Sequence, residues 1–541
     1  MTVGKLITDH IDIWSSALQT RSTAGRGSNG KIDLYGIKKL RELILELAVR
    51  GKLVPQDQNN EPASELLRSN EKRKQELAKN GSMKTAANGN INVADYYLET
   101  PKNWSWIRLG NLAKFIDYRG KTPKKTESGI RLITAKNIKK GFIDLNPEEF
   151  IAEKDYQSWM TRGFPKNGDI LFTTEAPLGN AAIIDLNDKF ALAQRSICFQ
   201  WHIPEISPFM LIQILAKPFQ SQLNDQSTGM TATGIKAAKL KEIPVILPPM
   251  LEQKKVVARV KELMSLCDQL EQQSLTSLDA HQQLVETLLA TLTESQNAEE
   301  FADNWARISL HFDTLFTTEA SIDALKQTIL QLAVMGLLIE NPEFMRRRSL
   351  KNYLSFGPRN GLSPTEVKYE TEIKVLKLGA TSYGYLNLQE TKWVNIDIND
   401  KPHLLLKKND ILIQRGNSPS FVGCSLLIEK DFNNLIYPDL MMKIRTKDEL
   451  LSEYAVLWLS SPFARKYMWS NMTGTSGTMP KISKKVVEEL PITVPDLAVQ
   501  HQLVIKIKEL FLLCDQLKAR LKSAQQTQLH LADALTDAAL N

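Results

Sequence analysis

The sequence repeats itself, and this duplication constrains the fold more than any other feature. Three segments return later in the chain: Leu47–Leu53 as Leu332–Leu338, Ile243–Pro249 as Leu490–Asp496, and Lys261–Leu270 as Lys508–Leu517. The interiors between these segments share little sequence. Similar ends around diverged interiors predict two halves that have a common scaffold and separate tasks.

The last repeated segment in each half carries a heptad-like pattern. Apolar residues alternate at steps of four and three, which places them on one helical stripe and predicts a coiled-coil seam. The two stripes are buried most simply against each other, as a pair of long helices. The residues assigned to this pairing are Val256, Leu263, Leu270, Leu503, Leu510 and Leu517. The same spacing continues the seam through Ser277, Leu284, Ala524 and Leu531.

Both interiors have the pattern of mixed α+β domains. Short β-rich runs separated by turn signals, among them 196–201 and 411–414, precede helical stretches near 209–222 and 453–470. The predicted fold is two globular α/β-mixed domains separated by a pair of long antiparallel helices, with a pseudo-twofold repeat. The predicted segments are 1–100, an N-terminal helical region with flexible linkers; 101–250, the first domain; 251–345, a central helical spacer; 346–496, the second domain; and 497–541, a C-terminal helix. Polar segments 24–30 and 70–91 are predicted to be loose.

Composition excludes several classes of protein. With 43% hydrophobic and 24% charged residues over 541 positions, the chain is typical of a globular protein. No apolar run approaches the length of a membrane span, so no membrane partner is expected. The four cysteines are widely separated, which argues against a disulfide scaffold or a zinc clip. A reducing cytoplasm is the expected location.

Motifs for chemistry are missing from the sequence. It contains no Walker A loop, dinucleotide fingerprint, HExxH, Gly-x-Ser-x-Gly or Asn/Asp-Pro-Pro-Tyr/Phe signature. The seven histidines are scattered without ligand spacing. We therefore expect this chain to be no enzyme by itself and to hold neither metal nor cofactor.

Basic, turn-rich sequence predicts contact with nucleic acid. The net charge is +7, but residues 102–144 alone hold eleven Lys/Arg against three acidic residues. Gly-containing loops at 118–125, 227–236 and 472–481 suit phosphate contacts, although each is also compatible with a solvated turn. Gln, Arg and Asn at 414–417 are side chains that pair with base edges. The predicted DNA-binding residues are Arg119, Lys121, Lys124, Lys125, Lys136, Asn137, Thr228, Thr231, Lys236, Arg359, Gln414, Arg415, Asn417, Ser418, Thr475 and Lys481.

Together these features resemble the specificity (S, HsdS-type) subunit of type I restriction–modification systems. The resemblance rests on the duplicated helical ends, the runs 243–249 and 490–496, and the Trp104–Gly110 opening of the first interior. It also rests on the two Thr/Gly/Lys loops, which are residues 227–236 and 472–481. It implies that each interior is a target recognition domain that reads one half of a bipartite double-stranded DNA site.

The resemblance also implies partners. Two modification subunits would bind S-adenosylmethionine and methylate adenine N6 after base flipping, and restriction subunits would use ATP and Mg²⁺ for translocation and cleavage. These cofactors would lie on the partner subunits and none on this chain. Two alternatives stay open: a stand-alone bipartite DNA-binding regulator, and a coiled-coil interaction scaffold that never contacts DNA.

Overall fold

The chain forms two compact units. A computed structural model describes residues 3–21, 31–57, 60–80, 89, 91–118, 122–193, 195–229, 233–339, 347–474 and 479–540. The first unit contains the described residues within 1–19, 34–274 and 528–541, and the second contains those within 20–33 and 275–527. Each unit thus combines one predicted domain with helical segments that are distant in sequence. The division into five contiguous segments stays a prediction.

The N-terminal region is mainly helical. Its elements are α1 (Val3–Thr8), α2 (Ile11–Ser16), β1 (Gln19–Arg21), β2 (Lys31–Asp33), α3 (Tyr35–Val49) and α4 (Ala63–Lys79). The expectation that 70–91 is loose is wrong for its first part, because α4 runs to Lys79. Asn70 Nδ2 donates to the Asn111 carbonyl at 2.9 Å, and Lys74 Nζ donates to Asn111 Oδ1 at 3.0 Å. These tertiary contacts override the polar composition. Residues 81–88 and 90, and all of 24–30, lie outside the described residues.

The first domain is built on two four-stranded sheets. Its strands are β3 (Ser105–Arg108), β4 (Ala113–Asp117), β5 (Lys125–Thr126), β6 (Ile130–Ile133), β7 (Phe150–Ile151), β8 (Ile170–Thr174), β9 (Leu178–Ile183), β10 (Phe190–Leu192), β11 (Ser196–Trp201) and β12 (Pro244–Leu247). Its helices are α5 (Tyr156–Trp159), α6 (Ser207–Leu215), α7 (Lys217–Asp225) and α8 (Ala237–Glu242). The sheet orders are β4-β11-β8-β9 and β10-β6-β7-β5, and β3 pairs with β12.

A helical segment follows the first domain. It consists of α9 (Met250–Glu294), α10 (Ala298–Leu310), α11 (Phe312–Leu315) and α12 (Glu319–Val334). Within the described ranges, no helix of the chain is long and apolar enough to cross a membrane.

The second domain has a four-stranded and a three-stranded sheet. Its strands are β13 (Arg347–Ser349), β14 (Leu354–Asn360), β15 (Ile373–Leu376), β16 (Thr391–Val394), β17 (Ile411–Gln414), β18 (Ser425–Leu427), β19 (Leu435–Ile436), β20 (Met441–Thr446) and β21 (Pro491–Thr493). Its helices are α13 (Ser452–Ser460), α14 (Pro462–Ser470) and α15 (Lys484–Glu488), and α16 (Leu497–Leu540) follows. The sheet orders are β14-β20-β17-β18 and β16-β15-β19, and β13 pairs with β21.

The two domains share one topology despite their different sequences. In both main sheets the fourth strand in chain order lies between the first and the second, and all neighbours are antiparallel. In both smaller sheets an antiparallel hairpin, β6–β7 or β15–β16, is extended by one parallel strand. The duplication predicted from the repeated ends therefore extends through the diverged interiors.

The opening strand of the second domain lacks the tryptophans of the first and is recognised by its pairing. The Leu109 N–H donates to the Ile243 carbonyl at 3.0 Å, and the Leu350 N–H donates to the Leu490 carbonyl at 2.9 Å. The same bond in both copies makes Arg347–Ser349 the counterpart of Ser105–Arg108.

Proline divides each predicted domain helix into two. Pro218 and Pro462 stand in the first turns of α7 and α14. Proline has no N–H to continue the preceding helical ladder, but it is tolerated at a helix start. The predicted helices 209–222 and 453–470 are therefore pairs of shorter helices.

The repeated Leu-Ala-Val-x-Gly segment ends a helix in each copy. Gly51 and Gly336 have φ values of +68° and +78°, a left-handed conformation that glycine adopts without Cβ strain. The Lys52 N–H donates to the Leu47 carbonyl, and the Leu337 N–H donates to the Leu332 carbonyl. This hydrogen bond is typical of a Schellman motif, so the repeat marks the ends of α3 and α12.

The buried stripe of each long helix drifts away from a strict seven-residue spacing. Leu284 is 52% exposed whereas Val285 is 2% exposed, and Leu531 is 41% exposed whereas Ala532 is fully buried. Ser277 and Ala524 are also exposed. The seam expected at these four positions is therefore wrong. An α-helix has 3.6 residues per turn, so its buried face moves by one position over a few heptads, and both copies make the same shift.

The residues assigned to helix pairing lie in apolar surroundings. In the second unit Leu503 shares a buried cluster with Val285 and Leu289 of α9, and Leu510 and Leu517 pack against that cluster. In the first unit Val256 and Leu263 are buried, and Leu270 is half-buried.

Candidate nucleic-acid interface

The Thr/Gly/Lys loop of each domain closes onto the residues that follow β8 or β17. Thr228 and Gly234 exchange backbone hydrogen bonds of 2.9 and 3.0 Å, and Gly234 also bridges Glu175. Thr473 and Lys481 exchange bonds of 2.8 and 2.9 Å, and Lys481 also bridges Gly416. Both loops are thus fixed at their bases, in equivalent positions of the two domains.

The tips of these loops lie outside the described residues, as do Thr231 and Thr475. Thr228, Lys236 and Lys481 are exposed at or beside the loop bases. Arg119 and Lys121 of the 118–125 loop also lie outside the described residues.

A turn between β6 and β7 carries two further predicted residues of the first domain. The buried Asn137 accepts hydrogen bonds through Oδ1 from the Thr134 N–H at 3.0 Å and hydroxyl at 2.9 Å. Its Nδ2 donates to the carbonyls of Asp144 and Pro147. Asn137 therefore organises the turn from inside, while Lys136 is exposed on it.

The basic segment 102–144 is neutralised more than its sequence indicates. Its cations are paired as follows: Arg108 with Asp95, Lys125 with Glu149, Arg131 with Glu148, and Lys139 with Asp144. Three of these carboxylates lie just outside the segment, so a count of charges within it could not reveal them. Lys102, Lys124, Lys136 and Lys140 are exposed and make no ion pair within the described ranges. They are the cations most available to a polyanion.

Five predicted residues of the second domain lie together at the end of β17 and just beyond it. Gln414 is fully buried, and its Oε1 accepts a hydrogen bond from Asn417 Nδ2 at 2.6 Å. The Ser418 N–H donates to Asn417 Oδ1 at 2.7 Å. Gln414 and Asn417 therefore use their amides within the domain. Arg415 and Ser418 are half-buried, and Lys481 is exposed beside them.

Arg359 lies on β14 and is paired in register with Lys443 on β20. Its side chain is exposed, and its carbonyl accepts a hydrogen bond from the Tyr437 hydroxyl at 3.2 Å. Arg359 therefore faces solvent from the main sheet, outside the loop group beyond β17. Its role in DNA binding, like that of the other predicted residues, stays a prediction.

The aspartate immediately before β8 and the one immediately before β17 have different partners in the two domains. Asp410 accepts hydrogen bonds from Lys443 and Arg445, whereas the equivalent Asp169 accepts one from Gln200 at 3.1 Å. Burial raises the pKa of the Asp169 carboxyl, with hydrogen bonds opposing the rise. Burial lowers the pKa of the Lys443 ammonium, and the charge of Asp410 opposes that fall. These groups are buried inside their domains.

The sequence analysis missed the turn between β15 and β16. Tyr383 and Tyr385 are 69% and 59% exposed on either side of Gly384, whose φ is +81°. The available signal was a Tyr-Gly-Tyr turn between two strand-like runs. In the described residues, no group of three His, Cys, Asp or Glu side chains is placed to hold a metal ion.

Comparison with known proteins identifies the family. The family model described as the type I restriction modification DNA specificity domain matches residues 101–280 and 359–524. The chain is 40% identical to the Escherichia coli type I restriction enzyme EcoEI specificity subunit and 38% identical to that of EcoAI, and each alignment covers 100% of both chains. A solved chain from a study of complex assembly and conformational transition of the type I R-M system has a TM-score of 0.50 and 17% identity. That match covers 82% of this chain and 98% of the solved one and supports the fold alone.

Two domains of one topology, each with a loop group at the same strand end, agree with the two regions that the family model matches. Full-length identity to two specificity subunits supports the same assignment. The chain belongs to the family of type I restriction–modification DNA specificity subunits.

Proposed function

We propose that this chain selects a bipartite double-stranded DNA site for a type I restriction–modification complex, with one domain reading each half. The observation that carries the proposal is the repeated topology with unlike side chains at equivalent loops. The β6–β7 turn of the first domain exposes Lys140 and Phe142, whereas the β15–β16 turn of the second exposes Tyr383 and Tyr385. Equal scaffolds with different surface chemistry suit recognition of two different base sequences.

In this proposal the chain supplies specificity and its partners supply chemistry. Two modification subunits would bind S-adenosylmethionine and methylate adenine N6, and restriction subunits would use ATP and Mg²⁺. The long helices α9 and α16 would hold the domains and offer the docking surface. We place the complex in the cytoplasm, where it would meet chromosomal DNA.

Mapping N6-methyladenine tests the proposal. The chain would be co-expressed with its modification subunit in a host without adenine methylation, and the methylated sites sequenced. We expect one split motif, and replacing 101–245 by the equivalent segment of a relative should change only one half of it. Methylation without a split motif, or changes in both halves after the exchange, would count against two independent readers.

The same preparation separates the alternatives. A stand-alone regulator would bind duplex DNA without retaining a modification subunit during purification. A scaffold would retain the subunit but show no salt-dependent shift of duplex DNA.

A further inference from the structure

The β15–β16 turn of the second domain exposes two aromatic side chains, one on each side of a glycine. Tyr383 and Tyr385 are 69% and 59% exposed, and Leu388 on the same turn is 47% exposed. At Gly384, between the tyrosines, no heavy atom lies within 4 Å of the position that a Cβ atom would occupy. The turn therefore projects from the domain with open space around its tip, although its side chains are largely apolar.

The base of this turn is held by Gln414. The buried Gln414 Nε2 lies 3.0 Å from three acceptors, the Leu378 carbonyl and the hydroxyls of Thr381 and Ser382. The Tyr383 ring packs edge-to-face on Phe421, with centroids 5.8 Å apart. The turn is thus fastened to the loop after β17, and a fixed turn loses little freedom on binding.

The first domain holds its own turn in the same place. Asn180 on β9 donates from Nδ2 to the Ile138 carbonyl at 2.9 Å, and the Gly141 N–H donates to the Ala181 carbonyl at 2.8 Å. That turn exposes Lys136, Lys140 and the 59% exposed Phe142. Each domain therefore presents the tip of its smaller-sheet hairpin next to its main sheet, with different chemistry on each tip.

The surroundings of the tyrosine turn favour DNA as the partner. Gln414 and Gly416 connect the turn to Arg415 and to Lys481, which make no ion pair within the described part of the chain. The Arg415 N–H donates to the Leu440 carbonyl, and the acidic residue before Leu440, Asp439, accepts a hydrogen bond from the Ser363 hydroxyl. Cations beside an exposed aromatic turn suit phosphates flanking a base contact, and an aromatic ring can pack on a thymine methyl while a hydroxyl meets a base edge or phosphate.

From these observations we propose that the 382–388 turn reads bases of the half-site recognised by the second domain. Tyr383 and Tyr385 contact the DNA, and Gln414 is a positioning residue that acts through the turn. The inference rests on the proposed function, since it requires that the second domain reads one half-site.

The test uses the full chain with its modification subunit and maps N6-methyladenine. The Tyr383→Ala/Tyr385→Ala variant should relax base preference in one half of the motif by roughly 5- to 150-fold, the discrimination of one good base contact. The other half should be unchanged. Tyr369→Ala is the matched control, because Tyr369 is 60% exposed in the same domain but outside the turn.

Other outcomes overturn the inference. An unchanged motif would exclude the turn from recognition while leaving two independent readers intact. Loss of selectivity in both halves, or loss of all methylation by a folded variant, would assign the turn to assembly. If the complex with the unsubstituted chain methylates no split motif, the proposed function itself would be contradicted.

Two further variants keep the test independent of folding. Tyr383→Phe/Tyr385→Phe keeps both rings and should give a smaller change at the same half-site. Gln414→Glu keeps the shape of the side chain but loses the donor group, and it should relax that same half-site. If Gln414→Glu lowers thermal stability without altering the motif, Gln414 is structural only.

Discussion

Lys443 and Asp410 form an ion pair inside the second domain, with Nζ 3.0 Å from Oδ2 and both side chains at most 1% exposed. Arg445 donates to the other carboxylate oxygen at 2.6 Å. In the first domain the equivalent positions are Asp169, Cys198 and Gln200, so the aspartate stays but its cationic partners become neutral. The shared aspartate also accepts the backbone N–H of Lys166 or Lys407 at the turn before the strand. That common task explains why it occurs in both domains.

Removing the Lys443 charge should destabilise the second domain. Lys443→Met leaves the buried Asp410 carboxylate with Arg445 but without Lys443. Breaking such a buried pair costs about 3 kcal/mol. Hydrogen exchange of the β17 and β20 amides measures the loss. The control is Lys485→Met, because Lys485 pairs with Glu489 while 77% exposed, and it should cost under about 1 kcal/mol. Equal protection in the two variants would contradict a structural role for the buried pair.

The first domain should lose stability as the pH falls from about 6.5 to 4. Burial lowers the pKa of the His202 imidazole to about 4, with the Lys74 charge adding to the effect. The unfolded chain therefore binds a proton in this range while the folded chain does not, and the free energy of unfolding falls by up to about 3 kcal/mol. Asp169 acts in the opposite direction, because its raised pKa favours the folded state as the pH falls.

The His202→Gln variant isolates the imidazole contribution. Urea unfolding at several pH values should show a flatter pH dependence for this variant than for the unmodified protein. His501→Gln on α16 serves as the control, since the His501 side chain is exposed. An unchanged slope in His202→Gln would mean that His202 is protonated in the folded protein.

The stability cost of a substitution on α9 should depend on whether the residue lies on the observed buried stripe, and not on whether it lies at a strict seven-residue spacing. Leu289 is 4% exposed and Leu284 is 52% exposed. Leu289→Ala should therefore cost about 2–5 kcal/mol, whereas Leu284→Ala should cost less than about 0.5 kcal/mol. Thermal unfolding compares the two variants. A larger loss of stability in Leu284→Ala than in Leu289→Ala would support the strict seven-residue seam instead.

Lys136→Ala should weaken binding to duplex DNA without changing the methylated motif. Lys136 is exposed on the β6–β7 turn and makes no ion pair within the described residues. Losing one phosphate contact lowers the slope of log affinity against log salt by about 0.9. Anisotropy titrations of the assembled complex measure the slope, with Lys72→Ala on the exposed face of α4 as control. If the slope stays the same, Lys136 lies outside the interface.

Local patterns in the sequence determined the duplication, the long helices and several of the strands. The runs 196–201 and 411–414 were predicted with the bounds that the structure has. Periodicity and turn residues are set by nearby positions, so they can be recognised without coordinates. The resemblance built on these features identified the family that the comparisons confirm.

Only the tertiary structure decided how these elements are used. Gln414 was predicted to bind DNA, yet it is buried and holds a turn, because its hydrogen-bond partners Leu378, Thr381 and Ser382 come from another segment. The cations of 102–144 meet carboxylates outside that segment, and α4 becomes ordered through Asn111. The turn with Tyr383 is placed by its contacts with Gln414 and Phe421. Each of these outcomes depends on residues distant in sequence, and a single sequence gives no distances between them.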